Sequence, residues 1–127
     1  MVDMVKKSEA PEQFTKLMLE LRRGILVLAT LSQLEDARYG YALIQELGAH
    51  GLEIEQGTLY PLLRRLEEQG LLMSEWNVEG SRPRRYYRLS PVGTEVLASL
   101  TVEWYGLAGI MDDMLLPTLQ EKYDGSN

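Results

Sequence analysis

Arg64 and Arg65 stand side by side, and Arg82, Arg84, Arg85 and Arg88 follow within seven residues of one another, with no Asp or Glu between Gly80 and Leu89. A guanidinium keeps its charge at any physiological pH and presents a planar fork of donors that fits phosphate oxygens or the acceptor edge of guanine. The chemistry on offer is therefore recognition of a polyanion. The rest of the inventory argues against bond-making: there is no cysteine, and His50 is the single histidine, so thiolate nucleophiles and Cys/His metal sets are excluded. Asp112 and Asp113 are adjacent, and neighbours on a helix point in different directions, which makes them a solvated face and not an acid/base pair. No catalytic residue, metal ligand or cofactor is expected, and the chain reads as a binding protein, not an enzyme.

The formal net charge of −6 speaks against indiscriminate attraction to polyanions, so the distribution of charge has to decide. From Gly24 to Glu55 only Arg38 stands against Glu35, Asp36, Glu46, Glu53 and Glu55, and from Glu103 onward only Lys122 stands against five acids. A focused basic edge on an acidic body suits a sequence-selective binder.

Such an edge needs rigid elements to carry it. Leu59, Leu62, Leu63 and Leu66 recur at i, i+3, i+4 and i+7, the stripe of an amphipathic helix, with Thr58, Tyr60, Pro61, Arg64 and Arg65 off the stripe. Pro61 fits only a first turn, which puts the start near Gln56; Gly70 followed by Leu71 is a C-terminal stop. Glu55 gains from the helix dipole at that start but caps poorly. Leu71–Trp76 and Arg84–Leu89 then read as two strands joined by a turn-rich segment over 77–83. Tyr87 and Leu89 share one strand face and are expected to pack on Leu72, Trp76 or the preceding helix.

Upstream, Phe14, Leu17, Met18, Leu21, Ile25, Leu28 and Leu31 mark a long first helix from Glu12, and Leu43, Ile44 and Leu47 mark a second over 39–47, closed by Gly48 and Gly51. Leu52-Glu53-Ile54-Glu55 alternates, as a short strand or extended link would. Ser90-Pro91 starts a last helix, in which Leu97, Leu100, Trp104, Leu107, Met111 and Met114 repeat at coiled-coil spacing until Pro117. The order defines a mainly α protein with a small β-hairpin (α+β): a winged helix-turn-helix followed by a C-terminal dimerisation helix. The expected organisation is a flexible arm over 1–11, in which Lys6 and Lys7 read as a solvated terminus, a winged-helix DNA-binding domain over 12–89, the dimerisation helix over 90–117 and a flexible tail over 118–127. No apolar run approaches the ~18 residues of a membrane span. The first residues lack a signal-peptide pattern, so a cytoplasmic location without membrane partners is expected.

Gly40-Tyr41-Ala42-Leu43, Gly57-Thr58-Leu59-Tyr60-Pro61, Leu66-Glu67-Glu68-Gln69-Gly70-Leu71 and Arg84-Arg85-Tyr86-Tyr87-Arg88-Leu89-Ser90 together resemble the PadR transcriptional regulators, over roughly residues 24 to 105 and in the family's order. The short C-terminal helix resembles the compact subfamily. The resemblance implies a homodimeric winged-helix repressor that binds a two-fold-symmetric DNA operator, and it implies that Tyr60 hydrogen-bonds the DNA backbone. The DNA-binding residues are expected to be Thr58, Tyr60, Arg64 and Arg65 on the third helix and Arg82, Arg84 and Arg85 on the wing. A competing arrangement packs Tyr60 under the wing and pairs Arg64 with Glu68. The dimer interface is expected to use Phe14, Leu97, Leu100, Trp104, Leu107, Met111 and Met114. By resemblance to multidrug-sensing members, Trp104, with Phe14 and Met111, is a candidate site for a planar aromatic effector; plain interface packing is the alternative. A second function class, a winged-helix module whose basic wing docks an acidic protein, is separated from DNA binding by salt dependence and duplex preference.

Overall fold

The computed structural model describes the chain from Val2 to Asp124, with side chains from Pro11 to Gln120. Its elements are α1 (Val2–Ser32), β1 (Arg38–Tyr39), α2 (Gly40–Ala49), α3 (Gln56–Glu68), β2 (Leu72–Asn77), β3 (Arg84–Leu89) and α4 (Pro91–Asp124). Leu59, Leu62, Leu63 and Leu66 of α3 are buried and meet Leu31 and Leu34, Leu43 and Leu47 of α2, and Leu72, Tyr87 and Leu89 of the sheet in one core. The leucine stripe therefore does what its spacing demands.

Two of the helices end in the same way. At the end of α3, Gly70 takes φ +79°, its N–H donates to the Glu67 carbonyl and the Leu71 N–H to the Leu66 carbonyl, at 2.9 Å each. At the end of α2, Gly51 takes φ +94°, and Gly51 and Leu52 repeat the pattern onto Gly48 and Leu47. Both are Schellman caps, which only a residue without Cβ enters without strain. Gly48, expected to close α2, lies inside the helix instead.

The sheet is three-stranded and antiparallel, in the order β1-β3-β2, with Leu72 opposite Leu89, Ser74 opposite Tyr87 and Trp76 opposite Arg85. The hairpin thus gains a third strand, Arg38–Tyr39, although Tyr39 was expected to open the second helix; its two residues pair with Tyr87 and Tyr86. The alternating 52–55 segment forms no strand: Ile54 is buried in the core and the segment is the extended entry to α3. Helix boundaries also differ from the sequence expectation. α1 is helical from Val2, across Pro11, where an arm was expected, and α4 continues through Pro117 to Asp124. Pro61, expected in a first turn, likewise lies inside α3; proline's fixed φ is already helical, so these helices run on at the cost of a hydrogen bond and of crowding against the carbonyl four residues back. Met1 and residues 125–127 of the expected arm and tail lie outside the described residues.

α4 is seated by its first turn. The Ser90 hydroxyl accepts from the Gly93 N–H at 2.9 Å and donates to the Gly70 carbonyl at 2.6 Å, joining the start of α4 to the end of α3. Gly93 is buried, and a Cβ there would lie 2.0 Å from the Leu71 carbonyl oxygen. Gly93→Ala is expected to cost about 1–3 kcal/mol or more through overpacking, whereas Gly48→Ala, which meets nothing within 4 Å, is expected to gain about 0.5–1 kcal/mol. Urea unfolding of the two variants checks both signs.

Candidate nucleic-acid interface

The face of α3 opposite its leucines carries Gln56, Thr58, Tyr60, Arg64 and Arg65, all exposed. Glu55 precedes the helix in an extended conformation and makes no side-chain cap, as its carboxylate predicts. Among the described residues Arg64 has no carboxylate in ion-pair distance, so the alternative pairing with Glu68 is not made. The Tyr60 ring lies on the start of α2, where a Cβ added to buried Gly40 would be 2.5 Å from the ring edge. The glycine of the Gly40-Tyr41-Ala42-Leu43 motif is thus the floor that lets Tyr60 settle.

Strand parity divides the wing arginines. Arg84 and Arg88 fall on one face of β3 and Arg85 on the other, across from Trp76. Arg84 lies over the Tyr39 ring at 4.6 Å, and Tyr39 packs in a tilted pair with Tyr86 at 5.5 Å, so a cation–π contact orients an exposed guanidinium. Arg82 is exposed at the hairpin tip, where the Asn77 side chain accepts the Glu79 N–H and Gly80 turns the chain at φ +90°. Arg85 is committed elsewhere. Its guanidinium donates to Glu67 of α3 at 2.8 Å and to the Ser74 hydroxyl at 3.0 Å, while Ser74 donates to the second Glu67 oxygen. Only about a third of either charged side chain is exposed, which favours the pair over a free surface bridge.

Between the start of α2, the exposed face of α3 and the wing opens a cleft of about 570 Å³, lined by Tyr39, Tyr41, Gln56, Tyr60, Trp76 and the segment from Arg82 to Arg85. Trp76 was expected as a core partner of Tyr87 and Leu89. Those two are buried, but Trp76 is 63% exposed, because the strand continues beyond the reach of α3. The Tyr87 phenol is held above its ordinary pKa of 10.0, chiefly by burial and against the lowering field of Arg85. Sequence reading missed Trp76, Tyr39, Tyr41 and the Glu67–Ser74 acceptors. The period-two alternation of β2 and β3 carried the signal for Arg85 and Ser74.

Among the described residues, most of the seam of α4 and Phe14, Leu17 and Leu21 of α1 are uncovered within the subunit. Phe14 is 64% exposed, Trp104 40%, and Leu100, Leu107, Met111 and Met114 are likewise exposed, while Leu97 packs partly on the core. A hollow of about 240 Å³ next to Trp104 is lined by Ile25, Leu28, Ala29, Ser32, Thr101 and Tyr105, without Phe14 or Met111.

Three helices followed by an antiparallel hairpin, with exposed arginines on the third helix and the hairpin, define a winged helix-turn-helix protein. The sequence matches the Transcriptional regulator PadR-like family over residues 27–99. It is 44% identical over 81 residues to the transcriptional regulator Rv3488 of Mycobacterium tuberculosis, covering 63% of this chain and 76% of that protein. The crystal structure of a PadR family transcriptional regulator from Eggerthella lenta superposes with a TM-score of 0.78 at 47% identity, over 85% of this chain and 96% of that one. A PadR family transcription regulator from Clostridium difficile gives 0.66 at 28%, over 70% and 96%. The chain belongs to the PadR-like family of transcriptional regulators, and its function is regulatory, not enzymatic. Among the described residues no helix is long and apolar enough to cross a membrane.

Gly40→Ala is expected to push the Tyr60 ring off its floor. It should weaken duplex affinity about tenfold, the order of one lost charge-assisted contact, with a smaller effect on the melting temperature than Gly93→Ala. Fluorescence anisotropy with labelled DNA, beside thermal melts, checks it.

Proposed function

We propose that this regulator is a sequence-specific, homodimeric repressor, acting in the cytoplasm on a palindromic operator. The supporting observation is the division of α3 into a buried leucine face and an open face with Thr58, Tyr60, Arg64 and Arg65, beside a cleft that Gln56 and Tyr60 line together with Arg82 and Arg84 of the wing. α3 enters the major groove and reads base edges, while the wing arginines grip the flanking backbone or minor groove. Arg85, expected among the DNA contacts, takes the role of holding the wing to α3. Two copies join through α4 and through Phe14, Leu17 and Leu21 of α1, apolar residues that otherwise face water, and the operator half-sites lie about one turn, roughly 34–36 Å, apart.

Regulation by a planar aromatic effector fits the hollow beside Trp104. That hollow is smaller than the ~300–1,000 Å³ of drug-binding pockets, so a second copy would have to complete it, and occupancy would act by favouring one dimer geometry. Occupying a promoter-overlapping operator is the simplest route to repression.

With Arg64, Arg65, Arg82 and Arg84 of each protomer on the proposed reading surface, the affinity of the dimer for its selected duplex should fall with log salt at a slope of about −7, since each phosphate contributes about −0.9. Arg82→Ala should reduce that slope by about 2 across the two copies. A monomer in sedimentation at micromolar concentration, or a flat salt profile, would overturn the proposal.

A further inference from the structure

The cleft between α3 and the wing is lined by the rings of Tyr39, Tyr41, Tyr60 and Trp76 and by arginines of the wing, and its largest exposed side chain, Trp76, is not used by the DNA-reading surface described above. The indole stands on the same face of β2 as buried Leu72 and half-buried Ser74, one step beyond them toward open solvent. It is not loose. Across the strand pair its neighbour is Arg85, whose guanidinium lies 5.9 Å from the indole and is itself tied to Glu67. Tyr60 and Gln56 of α3 and Arg82 and Arg84 of the wing line the same cleft.

Resting on the DNA-binding reading, we infer that Trp76 is a further DNA contact, packing its ring on a deoxyribose of the backbone that runs between the groove entered by α3 and the groove approached by the wing. One sugar-phosphate strand separates adjacent major and minor grooves of a duplex, so a protein that reaches into both must straddle it. The cleft of about 570 Å³ is the gap between the two reaching elements. Its chemistry matches that strand: phosphate oxygens face Arg82, Arg84 and the tyrosine hydroxyls, and the apolar face of the sugar meets the indole. The contact adds affinity without sequence information and without releasing counterions, because no charge is neutralised.

Trp76→Ala and Trp76→Phe, each checked for an unchanged melting curve, are titrated against the selected duplex across a salt series, beside wild type and Arg82→Ala. The alanine variant is expected to bind about five- to tenfold more weakly, the lower range for losing an aromatic contact to nucleic acid, with wild-type salt slope and wild-type base preference; phenylalanine is expected to restore most of the affinity. Trp76→Gln takes the place of alanine should the latter not fold. Unchanged affinity overturns the inference. A reduced salt slope does so too, since the ring would then serve only to hold Arg85 and, through it, the phosphate-binding arginines of the wing, and so does relaxed preference at one base pair, since the ring would then stack on a base. If wild type itself prefers no duplex, it is the DNA-binding reading that fails.

Discussion

The Glu67 carboxylate is the point on which the reading surface turns. One oxygen accepts from Arg85 of β3 and the other from Ser74 of β2, so a single side chain at the end of α3 holds both strands of the wing. Without it the hairpin would be joined to the helix only through the Gly70 turn and the apolar contacts of Leu72, Tyr87 and Leu89. Charge-assisted bonds of this kind contribute about 1–3 kcal/mol, less where water reaches one partner. That is small against the burial of four leucines, yet it fixes something burial does not: the angle between an arginine-bearing helix and an arginine-bearing hairpin. Non-directional packing tolerates a swing of the wing, whereas a two-oxygen, two-donor arrangement does not.

Around that point the chain uses small residues where backbone must come close. Gly70 turns the chain out of α3, Ser90 bonds back to the Gly70 carbonyl, and Gly93 lets the first turn of α4 rest on Leu71. The start of α4 is therefore fixed to the end of α3, so a change of α4 geometry at the proposed dimer interface has a short covalent and hydrogen-bonded route to the reading helix. Gly40 plays the corresponding part on the other side, beneath Tyr60.

Much of this was legible in the sequence. α3 was legible in both faces and its stop because leucine periodicity and a C′ glycine agree on one helix, whereas Pro61, expected in a first turn, is the sixth residue of α3 and lies inside it. Ser90 was read as a cap for the same kind of local reason. What escaped was non-local. β1 is two residues long, too short to show alternation, and exists only because β3 offers it an edge. Pro11 and Pro117 looked like boundaries, since proline disfavours a helix interior, but long exposed helices absorb the loss. Trp76 has the parity of a core residue and lacks a partner only because β2 extends past α3, a matter of relative length that periodicity does not encode. Arg85 was grouped with its arginine neighbours by composition, although strand alternation already set it apart from Arg84 and Arg88.

The most direct test of the clamp is a double-mutant cycle on duplex affinity with Glu67→Ala and Arg85→Ala. If the pair sets the wing angle, each single variant weakens binding and the double variant is no worse than the weaker single, leaving a coupling of about 1 kcal/mol or more. Additive losses, with Arg85→Ala alone lowering the salt slope, would mean that Arg85 touches phosphate directly and that the wing is positioned without it.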